Sequence, residues 1–275
     1  MGKLLTADVD FLGRRRVATL QKLITSALAA KANNRVDNAI VSSPPTVTEA
    51  TTSGVTSPRR LRMFDAANLH PEVFAIDGGK PIKDIYTYGS HVQSVTYPSN
   101  TGTNIGALTG VTGAHALGWA YEVLTDARKV EFFVAGNSTN KWRVAVDDKY
   151  ITKTPQAHSS YTNDGGVNAS YKLLDFTSIG RALRKIRYES DGYGSFYGVA
   201  VEQTAQVLAP PKRLTMFVSG DSISATTGAS WLHLGYAHLL ASRLGVNLIN
   251  ASIGGTGYSN PGTTWKLRDH LATDL

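Results

Sequence analysis

The feature that most constrains this chain is a series of short segments whose apolar residues recur every second position. Lys129 to Ala135 reads KVEFFVA and Trp142 to Val146 reads WRVAV, with turn-forming GNSTN between them. Both runs are rich in β-branched and aromatic residues, which suit a pleated surface. Asp147-Asp148 predicts a reversal into Lys149-Tyr150-Ile151. Tyr171 to Phe176, Arg184 to Glu189 and Phe196 to Glu202 are further strands, each bounded by Gly, Asp or Ser. The pattern predicts an antiparallel β-sandwich or jelly roll over residues 61–210. Residues 100–113 and 156–168 read as loops.

Two segments precede it. Within residues 1–40 a helix is expected from Val9 to Ala32, with Val17, Leu20, Ile24 and Ala27 or Leu28 on one stripe. So short a stripe needs cover from another copy, from a different protein or from the chain's own core. Residues 1–60 carry nine Lys/Arg and four acids, much of the net charge of +7. Such a basic end suits an acidic partner or a solvated docking arm. It lacks the interleaved aromatics that stack bases, so nucleic acid is not the expected partner. Residues 41–60, mostly Ser, Thr, Pro and Gly, read as an extended linker, and Pro44-Pro45 excludes a helix there.

Ala209-Pro210-Pro211 ends the sandwich, and the period changes again. Leu214 to Ser219 reads as a short buried strand and Ser230 to Leu244 as an amphipathic helix. Val246 to Ile253 reads as a second strand, followed by a glycine-rich loop and a helix from Thr263. Strand-helix-strand order implies a right-handed crossover in a parallel α/β sheet over residues 211–275. The whole chain is therefore of mixed class. It has no cysteine, so disulfides and thiolate metal sites are excluded. It has no apolar run of eighteen residues, so no membrane-spanning helix is expected, and its N-terminus lacks the apolar core of a signal peptide.

Two segments carry chemistry. In MFVSGDSIS, residues 216–224, Ser222 follows the carboxyl end of a first parallel strand, where open α/β sheets bind ligands. Gly220 permits a tight backbone and Asp221 can accept the bonds that fix the turn. In LINASIGGTGYSN, residues 248–260, glycines free backbone N–H groups to face an oxyanion. Phosphate binding is the other use of such a loop. However, neither G-x-x-x-x-G-K-[ST] nor G-x-G-x-x-G is present.

Together GDSI at 220–223 and NASIGG at 250–255 resemble the first two blocks of the SGNH/GDSL hydrolases, at a suitable spacing of 33 residues between Ser222 and Gly255. The resemblance implies a flavodoxin-like α/β domain and ester hydrolysis through an acyl-enzyme, with no metal or organic cofactor. Ser222 would be the nucleophile, and the N–H groups of Ser222 and Gly255 two oxyanion donors, with Gly220, Asp221 and Asn250 in support. The family's third block, with an Asn donor, and its Asp-x-x-His block do not occur after Gly255. Asp269 and His270 are adjacent, so on a helix they point about 100° apart and cannot form that pair. The hydrolase domain is thus expected to be incomplete in this chain. His233 and His238, spaced i, i+5, read as partly exposed polar positions, and His70, His91, His115 and His158 are assigned no role.

The middle region resembles jelly-roll modules of bacterial polysaccharide esterases through WRVAVDDKYI, YKLLDFTSIGRALRKIRYES and FYGVAVE. Tyr121, Trp142, Tyr193 or Tyr197 could stack on sugar rings, or be core and strand-surface aromatics. A basic N-terminal segment, a linker, a sandwich and an SGNH module resemble phage minor tail and fibre proteins. That resemblance implies a virion location, docking of the N-terminal segment to other tail proteins, a possible homotrimer, and action on acyl esters of host-envelope glycan or lipid. The alternatives are a structural or adhesion protein with an inactive hydrolase part, and a bacterial polysaccharide esterase unrelated to phage.

Overall fold

The computed structural model describes residues 37–62, 69–78, 80–83, 90–93, 118–135, 141–158, 162–164, 167–191, 196–224, 229–250 and 252. In chain order the strands are β1 (Asp37–Ile40), β2 (Thr46–Ala50), β3 (Arg59–Leu61), β4 (Ala75–Asp77), β5 (Lys80–Lys83) and β6 (Ser90–Gln93). Next come β7 (Trp119–Thr125), β8 (Lys129–Ala135), β9 (Lys141–Val146), β10 (Lys149–Tyr150), β11 (Gln156–Ala157) and β12 (Thr162–Asp164). The rest are β13 (Val167–Asp175), β14 (Arg184–Ser190), β15 (Phe196–Val201), β16 (Val207–Leu208), β17 (Thr215–Val218) and β18 (Asn247–Asn250). Helix α1 (Tyr236–Leu244) joins the last two.

Two mainly antiparallel sheets form the sandwich. One runs β1-β10-β9-β14-β7-β16, with β4 also on β7 and β11 on β9; the other runs β12-β13-β8-β15-β6-β5, with β2 on β13 and β3 on β15. Alternation gives each strand one inward face, and those faces meet. Tyr121 of β7 stacks on Phe196 of β15 at 3.9 Å between centroids, and Phe132 of β8 on Tyr188 of β14 at 5.1 Å. Trp119, Val123, Trp142, Val144, Val130, Val134 and Leu174 complete the core. The expected reversal is present. Asp147 and Asp148 take φ of 48° and 66°, the left-handed pair that joins antiparallel β9 and β10 with two residues.

Several expectations are corrected. The linker is not free: β2 lies within it, pairs along β13 from Ala50–Tyr171 to Thr46–Asp175, and is flanked by buried Pro45 and Val55. Its Glu49 pairs with Lys172, which is wholly buried beneath Trp142. This cross-strand ion pair is what composition alone conceals. KVEFFVA and WRVAV are β8 and β9 but belong to opposite sheets, so they are not a hairpin. The loop expected at 156–168 contains β11 and β12. Tyr121, Trp142 and Tyr197 are buried in or against the aromatic core, so they do not present a sugar platform. The N-terminal helix, Tyr193 and the loop at 100–113 lie outside the described residues.

Beyond Pro211 the predicted parallel pair forms: β17 and β18 run side by side from Thr215–Asn247 to Val218–Asn250. β17 is half-buried rather than buried, and Leu214 before it is 64% exposed. The helix begins at Tyr236 and not Ser230. Extended Gly235 interrupts it, and a 3₁₀ turn over Leu232–Leu234 turns His233 inward. Gly245, at φ 65°, closes α1 as the Val246 N–H reaches the Ala241 carbonyl. Ala237, Ala241 and Leu248 pack together beneath the helix. The helix expected from Thr263 lies outside the described residues.

Candidate active site

Ser222 lies in the turn after β17, half-buried, at the carboxyl end of the parallel pair. Asp221 shapes that turn, its Oδ1 accepting the Ile223 N–H at 2.9 Å and the Ser224 N–H at 3.5 Å. Gly220 is buried where a Cβ would run into the Ser224 side chain, so no larger residue fits without moving Ser224. At the end of β18, wholly buried Asn250 donates from its side-chain amide to the Ser224 carbonyl at 2.9 Å. Its Oδ1 accepts the Ser252 N–H at 3.1 Å. These two bonds fix which way the amide faces and tie the Ser222 turn to the start of the next loop.

Of the five residues expected at the site, Ser222, Gly220, Asp221 and Asn250 are therefore brought together. Gly255 lies outside the described residues. Sequence reading missed two neighbours. Ser224 is buried with its hydroxyl 2.6 Å from the Tyr236 hydroxyl, and the buried Ser252 hydroxyl has no hydrogen-bond partner among the described residues. The S-x-S spacing in GDSIS was the available signal for Ser224.

A second polar cluster lies between the sandwich and this segment. Arg187 of β14 is the hub: its Nη2 donates to Asp77 Oδ2 at 2.6 Å, its Nη1 to Glu122 at 3.1 Å and its Nε to Glu189 at 2.7 Å. Arg213 also donates to Glu122, and the Tyr150 hydroxyl to Glu189. Asp77, Glu122, Tyr150, Arg187 and Glu189 lie on the face of the first sheet opposite its core, beneath Arg213, the turn at His233 and α1. Burial alone would raise Asp77, Glu122 and Glu189. Nearby cations, Arg187 foremost for Asp77 and Glu122, and hydrogen bonds hold all three below the ordinary carboxylate range.

His233 and His238 belong to this cluster, and both are buried rather than partly exposed. The His233 Nε2 lies 3.0 Å from the Ser190 carbonyl, and Gly118 leaves room for its ring. Burial first, then His233 beside it, pushes His238 down to about 3. A cavity of about 90 Å³ remains among Asp77, Tyr150, Arg187, both histidines and Ser242. Among the described residues no group of three or more His, Cys, Asp or Glu is placed to hold a metal ion.

No family model matches this chain. No curated protein matches it either. Among solved structures it resembles a salicylyl-acyltransferase, SsfX3, from a tetracycline biosynthetic pathway, at 13% identity and TM-score 0.48, over 66% of this chain and 53% of that one. It also resembles an acetyl xylan esterase, Est2A, from Butyrivibrio proteoclasticus, at 14% identity and TM-score 0.44, over 84% and 54%. A family two carbohydrate esterase from Cellvibrio japonicus is similar at 12% identity and TM-score 0.44, over 82% and 60%. The chain thus spans little more than half the length of these structures.

Proposed function

We propose that this chain carries the nucleophile of a serine ester hydrolase of the SGNH/GDSL type, with Ser222 attacking the acyl carbon. The observation that carries the reading is the bond from the Asn250 amide to the Ser224 carbonyl, which holds the Ser222 turn against the end of the neighbouring parallel strand. Asn250 and the Ser222 turn thereby lie together at the carboxyl end of the β17–β18 pair. In this reading the N–H groups of Ser222 and Gly255 stabilise the tetrahedral oxyanion, and Gly220, Asp221 and Asn250 fix the turn. Attack requires a base to take the hydroxyl proton. Neither His233 nor His238 is given that role, since both are packed beneath α1 against the sandwich.

The proposed setting is a phage tail. The basic N-terminal segment would dock to other tail proteins, in a homotrimer, and the substrate would be an acyl ester of host-envelope glycan or lipid. The charge excess of residues 1–60 supports docking. No helix among the described residues is long and apolar enough to cross a membrane. A structural role is the second reading, favoured by the burial of His233 and His238 within the polar cluster.

Hydrolysis of p-nitrophenyl acetate by the protein tests the first reading. Activity is expected where the Asn and Asp-x-x-His blocks accompany this chain, lost there in Ser222→Ala and retained in His70→Ala. Activity that survives Ser222→Ala overturns the nucleophile. No hydrolysis above buffer favours the structural reading.

A further inference from the structure

We propose that Asp77, a sandwich residue, is a positioning residue for the Ser222 turn, which it reaches through the backbone of β18; the catalytic side of this rests on Ser222 being the nucleophile. Asp77 has two oxygens with separate tasks. Oδ2 takes the Arg187 guanidinium at 2.6 Å, while Oδ1 accepts the N–H of Gly78 at 3.0 Å and of Leu248 at 2.6 Å. The carboxylate thus joins β14 of the sandwich to β18 of the α/β segment.

Gly78 doubles the connection. Its N–H also reaches the Leu248 carbonyl at 3.0 Å, and its carbonyl accepts the Asn250 N–H at 3.4 Å, forming a parallel bridge with Ile249. Both edges of β18 are therefore engaged, one by β17 and one by the sandwich. Gly78 takes φ +100°, and a Cβ there would meet the Gly118 and Trp119 backbone, so the approach is close and fixed. From Leu248 the path is short. Asn250, two residues on, donates to the Ser224 carbonyl inside the Ser222 turn.

The chemistry explains why the residue is acidic. An Asn at 77 has one acceptor oxygen, so its NH₂ must face either the Arg187 guanidinium or the backbone N–H groups, donor against donor. Glu122 offers the control. It shares Arg187 with Asp77, yet its described bonds go to Arg187 and Arg213 and none reaches β18.

Hydrogen exchange and steady-state kinetics on the full chain test the proposal. Asp77→Asn is expected to speed amide exchange in 216–224 and 247–250 about tenfold, with β8 and β13 unchanged. On p-nitrophenyl acetate kcat should fall about tenfold with KM held within about twofold, the mark of misplacement rather than lost binding. Glu122→Gln should leave exchange at 247–250 and kcat as they are. Unchanged exchange in Asp77→Asn, or an equal effect from Glu122→Gln, overturns the proposal. A protein that hydrolyses no ester defeats the Ser222 reading, and the exchange arm still decides the coupling. Should Asp77→Asn fail to fold, Asn250→Asp keeps the acceptor for Ser252 and removes the donor to Ser224. Faster exchange confined to 220–224 then supports the path, and none overturns it.

Discussion

The His233 and His238 rings lie 4.9 Å apart between centroids, both buried between α1 and the outer face of the first sheet. His238 faces Asp77 on β4, Arg187 and Glu189 on β14, and His233 on the preceding turn. Its Nε2 has no hydrogen-bond partner among the described residues.

A pH dependence of stability follows. Burial, and then His233, pushes His238 to about 3 from an ordinary value of 6.5, and burial pushes His158 to about 4. The unfolded chain therefore binds the protons first as pH falls. Stability from the neutral rings is complete above about pH 6.5 and is lost as pH drops toward those folded values, at no more than about 1.4 kcal/mol per pH unit for each ring. Urea denaturation at pH 7, 6 and 5 should show the decline, and His238→Leu should remove roughly half of its slope. An unchanged slope in that variant would rule out His238 as a source.

Arg187→Met should be the most damaging single change in the polar cluster. It leaves Asp77, Glu122 and Glu189 buried with one fewer cation, and breaking such a pair costs about 3–5 kcal/mol. Chemical denaturation measures this, and a loss under about 1 kcal/mol would mean that the network is looser than drawn.

Lys172→Met should leave Glu49 with the Ser170 hydroxyl but without its buried cation, at a cost of about 3 kcal/mol, the lower end for a buried pair because Glu49 keeps a solvent-facing edge. Adding Glu49→Leu should restore most of the loss. A double-mutant cycle reads the coupling, and strict additivity would show that the two side chains are independent.

Gly118→Ala places a Cβ 2.9 Å from the His233 Nε2 and 3.0 Å from its Cδ2. The ring must leave the Ser190 carbonyl, at an expected cost of about 1–3 kcal/mol. Hydrogen exchange should rise in α1 and stay unchanged in β8. Equal exchange in both proteins would show that His233 does not hold the helix down.

How much could be read beforehand depended on how local the cause was. Asp147-Asp148 predicts its own turn, and GDSIS its own loop, because the determining atoms lie within a few residues. The parallel pairing of β17 and β18 followed from the order of periods. By contrast, β2 is a strand because of β13, more than a hundred residues later, and nothing in VSSPPTVTEA declares that partner. Alternation along β7 and β14 puts Glu122, Arg187 and Glu189 on the face opposite the core, a face that is ordinarily solvated. They are buried because a later segment covers that face, and no local pattern in β7 or β14 records it. The same fact made His233 and His238 look exposed.

The parallel bridge at Gly78 bears on how such a protein can be recombined. A crossover at Ala209-Pro210-Pro211 looks like a natural joint, yet it would transfer β18 without the backbone that seals one of its edges. The heritable unit here is discontinuous in the gene: a graft of 211–252 into another scaffold has to bring Asp77-Gly78 or supply a donor and acceptor in their place. Chimeras cut only at the prolines should therefore expose a strand edge and self-associate, whereas those exchanging both stretches should stay monodisperse.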